Sequence, residues 1–109
     1  MTKDIGILGA SGLVGKEALY ALRKKGYTLL IGARNIQNLE YVKKELCMDI
    51  EIMQVDVFIP KQVEEFCKQC RIVVNCTAPA SAIGTRIIKE CVKLGIDYID
   101  PFGEGEIER

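Results

Sequence analysis

The 109-residue sequence contains no histidine and carries a formal net charge of zero. Without histidine the chain lacks the commonest general base and the commonest imidazole ligand for a metal, so neither a catalytic dyad built on imidazole nor a metal centre is expected. Lysine plus arginine equals aspartate plus glutamate at 15 each. That balance argues against a nucleic-acid or membrane-surface protein, which usually shows a basic face. No run approaches the roughly 20 apolar residues needed to cross a bilayer. The opening "MTKDIGILGASG" has no apolar signal core ahead of its first charges, so secretion is not expected. Five cysteines at irregular spacings suit free thiols in a reducing compartment, and the expected location is cytoplasmic. Internal repeats, linkers and low-complexity segments are also lacking. At this length the expectation is one domain spanning residues 1–109,.

What the chain does have is alternation. "DIGILG" (4–9) reads as a buried strand, and Gly12 to Lys25 follows as a helix with apolar positions at 13, 14, 18, 21 and 22,. Gly26 is placed to end that helix, with Arg23, Lys24 and Lys25 set against its negative dipole end. "YTLLIGA" (27–33) is the second strand, and Asn35 the N-cap of a helix through Leu46,. "IEIMQV" (50–55) is a third strand, after which Pro60 fits the first turn of a third helix,. "RIVVNCT" (71–77) is nearly continuous in β-branched residues, as in a central parallel strand covered on both faces,. Ser81 can cap a fourth helix to Leu94, Gly95 stops it, and "IDYI" (96–99) is a fifth strand. Strand–helix alternation requires crossovers, which predicts an α/β fold: a doubly wound parallel sheet in the order 3-2-1-4-5 with helices on both faces.

The functional signal lies in the first turn. "GILGASGLVG" spaces Gly9, Gly12 and Gly15 three apart, with Ala10 where a strict GxGxxG loop has another glycine. Such a loop, set between a strand and a helix, lets backbone approach a pyrophosphate and directs helix N–H groups at it. A phosphate loop of the Walker type would need Ser or Thr after Lys16, and Glu17 stands there. About twenty residues further on, where NAD-binding domains place a carboxylate for the adenosine ribose, this chain has Gly32, Ala33 and Arg34,. A guanidinium suits a 2′-phosphate. Gly32 leaves room at the strand end, Asn35 adds a donor, and NADP is favoured over NAD.

These residues resemble the N-terminal cofactor domain of the saccharopine dehydrogenase-like oxidoreductases, a Rossmann-like domain. The likeness rests on "GASGLVG", "GAR", "VDV", "VVNCTAP" and "GIDYIDPFGE", and covers essentially the whole chain. The resemblance implies that Gly9, Ala10, Ser11, Gly12, Leu13 and Val14 cradle the pyrophosphate, and that Arg34 takes the 2′-phosphate. It further implies that Asp56 and Val57 flank the adenine, and that Thr77, Ala78 and Pro79 border the nicotinamide ribose. Family members often carry Gly-Pro after the fourth strand, where this chain has Ala78-Pro79. Tyr98, Asp100 and Gly103 match the segment leading toward a substrate domain, which is expected to lie outside these 109 residues. The expected partners are therefore the nicotinamide dinucleotide and that missing domain, or a second chain at the open sheet edge.

The expected function is the NADP-binding half of an oxidoreductase that transfers hydride. Two alternatives stand beside it: a non-catalytic NADP-sensing module, and the N-terminal domain of a semialdehyde dehydrogenase, suggested by "GASGLVGKE". No catalytic residue is assigned. Tyr98 and Asp100 read as positioning a loop, with proton transfer as the alternative. Tyr20 and Lys24 spell YxxxK but on the first helix, away from the cofactor end of the sheet. "CKQC" (67–70) falls on the stripe Val63, Phe66, Cys67, Cys70 and reads as core,.

Overall fold

The computed structural model describes residues 2–45, 50–77 and 81–100. Among these residues nine elements alternate: β1 (Lys3–Leu8), α1 (Leu13–Lys24), β2 (Leu29–Ala33), α2 (Ile36–Glu45), β3 (Glu51–Gln54), α3 (Pro60–Cys67), β4 (Cys70–Asn75), α4 (Ser81–Leu94) and β5 (Asp97–Ile99). The five strands are all parallel in the order β3-β2-β1-β4-β5, as the alternation requires. The chain builds outward from β1 to β3, then crosses back to start β4 on the other side of β1. That reversal opens a crevice at the carboxyl ends of β1 and β4, the place where doubly wound sheets bind ligands.

Side-chain alternation along the central strands divides the core into two layers. Ile5, Ile7, Leu29, Ile31 and Val74 face α1 and α2, where Leu19, Leu39 and Val42 meet them. Leu8, Leu30 and Val73 face α3 and α4, against Val63, Phe66, Cys67, Ile87 and Cys91. Central strands covered on both faces must be apolar at successive positions, which is why "IVV" and "LLI" are continuous runs. Gly6 and Gly32 supply a recess in the second layer. A Cβ on Gly32 would lie 2.7 Å from the Phe66 ring, and one on Gly6 would lie 2.8 Å from it. The space at Gly32 is therefore filled by Phe66, not left for a ligand. That corrects the sequence expectation for this residue: the missing side chain serves packing between sheet and helix.

The helix boundaries follow local chemistry. Asn35 caps α2 as expected, its Oδ1 accepting the N–H groups of Gln37 at 2.9 Å and Asn38 at 3.2 Å,. Gly26 and Gly95 adopt φ of +87° and +72° just beyond α1 and α4, the left-handed stop that glycine favours,. Pro60 opens α3,. The capping side chain expected of Ser81 and the helix end at Leu46 lie outside the described residues. At the opposite end of the sheet Asp4 and Thr28 exchange hydrogen bonds, N–H of each to the other's side chain at 2.8 and 3.0 Å, and clamp the starts of β1 and β2. One expected face is corrected: α1 buries Gly15 and Leu19, whereas Leu13 is 78% exposed and Val14 is also exposed. Both stand in the first turn of α1. No described helix is long and apolar enough to cross a membrane.

Candidate functional site

The turn after β1 is made by three glycines with three different jobs. Gly9 has φ +80°, and a Cβ there would lie 2.8 Å from the Thr77 nitrogen and 2.9 Å from the Cys76 carbonyl carbon. The turn thus lies directly against the exit of β4. It is tied to β2 as well, through the Gly9 N–H on the Gly32 carbonyl at 2.8 Å. Gly12 closes the turn by donating to the Gly9 carbonyl at 3.2 Å, and it precedes α1 with no side-chain cap. Gly15 is buried, because a Cβ there would overlap the Gly9 carbonyl oxygen and lie 2.7 Å from the Ala10 Cα. Helix and turn can approach only because that atom is missing. Ala10 is fully buried and packs in the first core layer, so it shapes the turn from within. Ser11 is half-buried, and Gly12, Leu13 and Val14 are exposed. The first helical bond is Lys16 N–H to the Gly12 carbonyl at 2.9 Å. The N–H groups of Leu13, Val14 and Gly15 precede it, at the positive end of the helix dipole.

Beside this turn a cavity of about 200 Å³ opens at the carboxyl ends of four strands. Leu8 and Gly9 line it from β1, Ala33 and Arg34 from β2, Val55 to Phe58 from β3, and Thr77 from β4. Of the residues expected at the site, Gly9, Arg34, Asp56, Val57 and Thr77 are brought together here. Ala10, Ser11, Gly12, Leu13 and Val14 form the adjoining turn, and Asn35 follows Arg34 as the α2 cap. Ala78 and Pro79 lie outside the described residues, as does Gly103.

Arg34 is exposed, while its backbone is fixed. Gln54 Nε2 donates to the Arg34 carbonyl at 2.9 Å, and Val55 N–H to the Ala33 carbonyl at 2.9 Å. Among the described residues no carboxylate pairs with the guanidinium. Asp56 is turned inward on its own loop: its Oδ1 accepts the Phe58 N–H at 3.0 Å, and its carbonyl the Ile59 N–H at 2.9 Å. The Asp56 N–H is taken by Gln62 Oε1 at 2.8 Å. Gln54, Gln62 and Phe58 were not foreseen. Their pattern signal was weak, because a glutamine at a strand end or in a first helical turn reads equally as solvated surface.

The exit of β4 is held by a buried polar network. Asn75 is fully buried, and its Oδ1 accepts both the N–H of Thr77 at 3.0 Å and its hydroxyl at 2.5 Å. Asn75 Nδ2 donates to the Tyr98 hydroxyl at 2.9 Å, which in turn donates to Asp100 Oδ2 at 3.4 Å. Burial is the main cause that pushes the Tyr98 phenol up to about 12, so it stays a neutral donor,. Gly84 of α4 leaves room for the network, since a Cβ there would lie 3.3 Å from the Tyr98 hydroxyl oxygen. The expectation that Tyr98 and Asp100 position a loop now has a geometry, with Asn75 as the unforeseen centre. A polar residue ending an otherwise apolar buried strand was the available clue, because such a group must find partners.

Residues 5–107 match the saccharopine dehydrogenase NADP binding domain family. The chain belongs to it. A probable mitochondrial saccharopine dehydrogenase-like oxidoreductase of Arabidopsis thaliana is 31% identical over 117 residues, covering 94% of this chain and 26% of that protein. The mouse saccharopine dehydrogenase-like oxidoreductase is 24% identical over 115 residues, covering 90% of this chain and 27% of that one. The chain thus spans about a quarter of the length of these relatives. Apo saccharopine dehydrogenase (L-Glu forming) from Saccharomyces cerevisiae superposes with a TM-score of 0.81 at 14% identity, over 95% of this chain and 22% of that chain. At that identity the likeness establishes the fold.

As a domain of this family, the chain is a nicotinamide dinucleotide-binding module, and the reactive side chains described outside the cavity are packed or surface groups. Cys67 and Cys70, the CxxC pair, are buried free thiols in the second core layer. Cys67 Sγ lies 3.9 Å from Cys91 Sγ, and this contact together with burial pushes the Cys67 thiol up. Burial pushes Cys70 up to about 12 and Cys76, at the β4 exit, up to about 11. Protonated thiols at neutral pH are poor nucleophiles. Tyr20 and Lys24 lie against each other, the ammonium 5.8 Å from the ring centroid on the exposed side of α1. Among the described residues no group of acidic, cysteine or histidine side chains could hold a metal ion.

Proposed function

We propose that the chain binds NADP in preference to NAD, as the cofactor half of an oxidoreductase whose substrate is held by a further domain. The observation that carries the preference is Arg34. It stands at the rim of the cavity, on a backbone fixed by Gln54, where a carboxylate would select the unphosphorylated ribose,. Its guanidinium offers a planar fork to the 2′-phosphate. The pyrophosphate lies over the turn from Gly9 to Val14, meeting the N–H groups at the start of α1. The adenosine fills the cavity between Arg34 and the segment of Asp56 and Val57, and the nicotinamide riboside runs toward Thr77, Ala78 and Pro79. When bound, the nicotinamide supplies or accepts a hydride. The residues of this chain bind and orient it, and the Asn75 network holds the wall on which it rests.

The fourfold greater length of the relatives supports placing the substrate site in a further domain. Calorimetric titration of NADPH and NADH into the chain and its Arg34→Ala variant tests the reading. A charge-assisted pair is worth roughly 1.5–3 kcal/mol. The wild type should therefore favour NADPH by about ten- to a hundredfold, and the variant should bind both cofactors alike. Equal affinity of the wild type for both would sink the NADP assignment. Binding of neither would remove the dinucleotide reading of the isolated chain.

A further inference from the structure

Phe58 sits where a core residue would not. It is 53% exposed, although large aromatic side chains carry much apolar surface and are usually covered,. Its backbone is nonetheless fixed, with the Phe58 N–H on Asp56 Oδ1 at 3.0 Å. Its ring is fixed from another element: the Arg86 guanidinium, on α4, lies 5.1 Å from the ring centroid. Phe58 also lines the cavity that Arg34 and Val57 border. An aromatic side chain held by a turn and by a cation, with half its surface bare at a cavity wall, has the form of a stacking platform. Such platforms recognise the flat face of a base without reading its edges, and a guanidinium over a ring restrains it at an exposed site.

We propose that Phe58 is the wall against which the purine base of the dinucleotide packs, and that Arg86 is a positioning residue that holds the ring for it. This rests on the dinucleotide reading of the cavity and adds a base-contacting side chain beside Asp56, whose Oδ1 is engaged by its own turn. The contact is with the base alone. It is therefore blind to the 2′-phosphate, unlike that of Arg34.

Calorimetry with NADPH, NADH and adenosine 2′,5′-bisphosphate on four variants separates the possibilities. Phe58→Leu should weaken all three ligands equally, by about tenfold, the scale of one base–aromatic stack. Phe58→Tyr keeps the ring and should bind like the wild type. Arg86→Met should weaken all three by about threefold without lowering the melting temperature, and Arg86→Lys should restore affinity by restoring the cation. Wild-type affinity in Phe58→Leu overturns the inference while leaving the dinucleotide reading intact. A loss confined to NADPH and the bisphosphate would make Arg86 or Phe58 part of the phosphate site and also overturns it. Should Phe58→Leu unfold, tight binding by Arg86→Met would be the overturning result. If the wild type binds none of the three ligands, the cavity reading fails first and takes this inference with it.

Discussion

Replacing Gly15 by alanine separates what the glycine loop does for folding from what it does for a ligand. The new Cβ would overlap the Gly9 carbonyl oxygen and stand 2.7 Å from the Ala10 Cα and 2.9 Å from the Gly9 carbonyl carbon. All three are backbone atoms in a turn anchored to β2 by the Gly9 N–H on Gly32, so no rotamer change can absorb the methyl. Overpacking of this kind costs about 1–3 kcal/mol, and rigid surroundings place it near the upper end. Alanine's better helix propensity returns up to about 1 kcal/mol, which leaves a net loss of about 2 kcal/mol. For a domain of this size that lowers the melting temperature by roughly 8–16 °C. Gly12→Ala is the counterpart. Its Cβ would meet only the Gly9 carbonyl oxygen, at 3.6 Å, and its φ of −81° suits any residue. Loss of the glycine cap costs it about 1 kcal/mol at most, yet the methyl would stand between the start of α1 and a bound pyrophosphate. Thermal unfolding with and without NADPH reads both effects. Gly15→Ala should melt early, and Gly12→Ala should melt near the wild type but lose its shift with NADPH. A Gly15→Ala protein melting within about 2 °C of the wild type would refute the packing argument.

The Asn75 network and the buried thiols give two more expectations. Asn75→Leu removes the acceptor of both Thr77 donors and the donor to Tyr98 in a fully buried position. It should cost about 3 kcal/mol in urea unfolding, with Tyr98→Phe costing about 1 kcal/mol; equal effects would place the weight on Tyr98 instead. Alkaline stability should fall in a defined window. The thiols of Cys70 and Cys76 titrate near 9.0 when unfolded but at about 12 and about 11 in the fold, both raised chiefly by burial. The folded state therefore holds protons that the unfolded state releases. The contribution is complete below pH 9 and is lost as pH rises through 11 toward 12,. Unfolding free energy measured across that range should decline, and Cys76→Ser should flatten its lower part. A flat profile would mean the thiols are already solvated.

The fold was legible because the pattern that encodes it is redundant. Each of the first four strands is followed by a helix marked by a cap, a starting proline or a glycine stop, and alternation of this kind admits few topologies. Asn35, Pro60, Gly26 and Gly95 act through backbone geometry within two or three residues, so the sequence displays their work directly. The errors came from tertiary causes. Gly32 looks like space for a ligand until Phe66, thirty-four positions later, is seen to fill it. Leu13 and Val14 continue a helical apolar stripe, yet both are left exposed. Periodicity records which side chains share a face, and only packing decides how far along the helix that face is covered.

The site divides along the same line. The turn proposed for the phosphates is made of backbone, and the spacing of Gly9, Gly12 and Gly15 displays its backbone demands, whereas the full burial of Ala10 leaves no trace in that spacing. The ends proposed for the base and the nicotinamide are made of side chains that meet across distant elements: Gln54 under Arg34, Arg86 over Phe58, Asn75 between Thr77 and Tyr98. Each of those residues is ordinary where it stands in the sequence. Asn75 alone left a physical trace, a polar group closing a buried strand that had to be satisfied somewhere. Cofactor selection in such a domain therefore need not be concentrated in the glycine loop. On the proposed reading, Arg34 would favour a phosphate while Gln54 holds its backbone, and Phe58 would offer a flat face while Arg86 keeps it there. Substitutions at Gln54 should thus lower NADPH preference without touching any ligand, a loss that the Gln54→Ala variant would report in the NADPH-to-NADH affinity ratio.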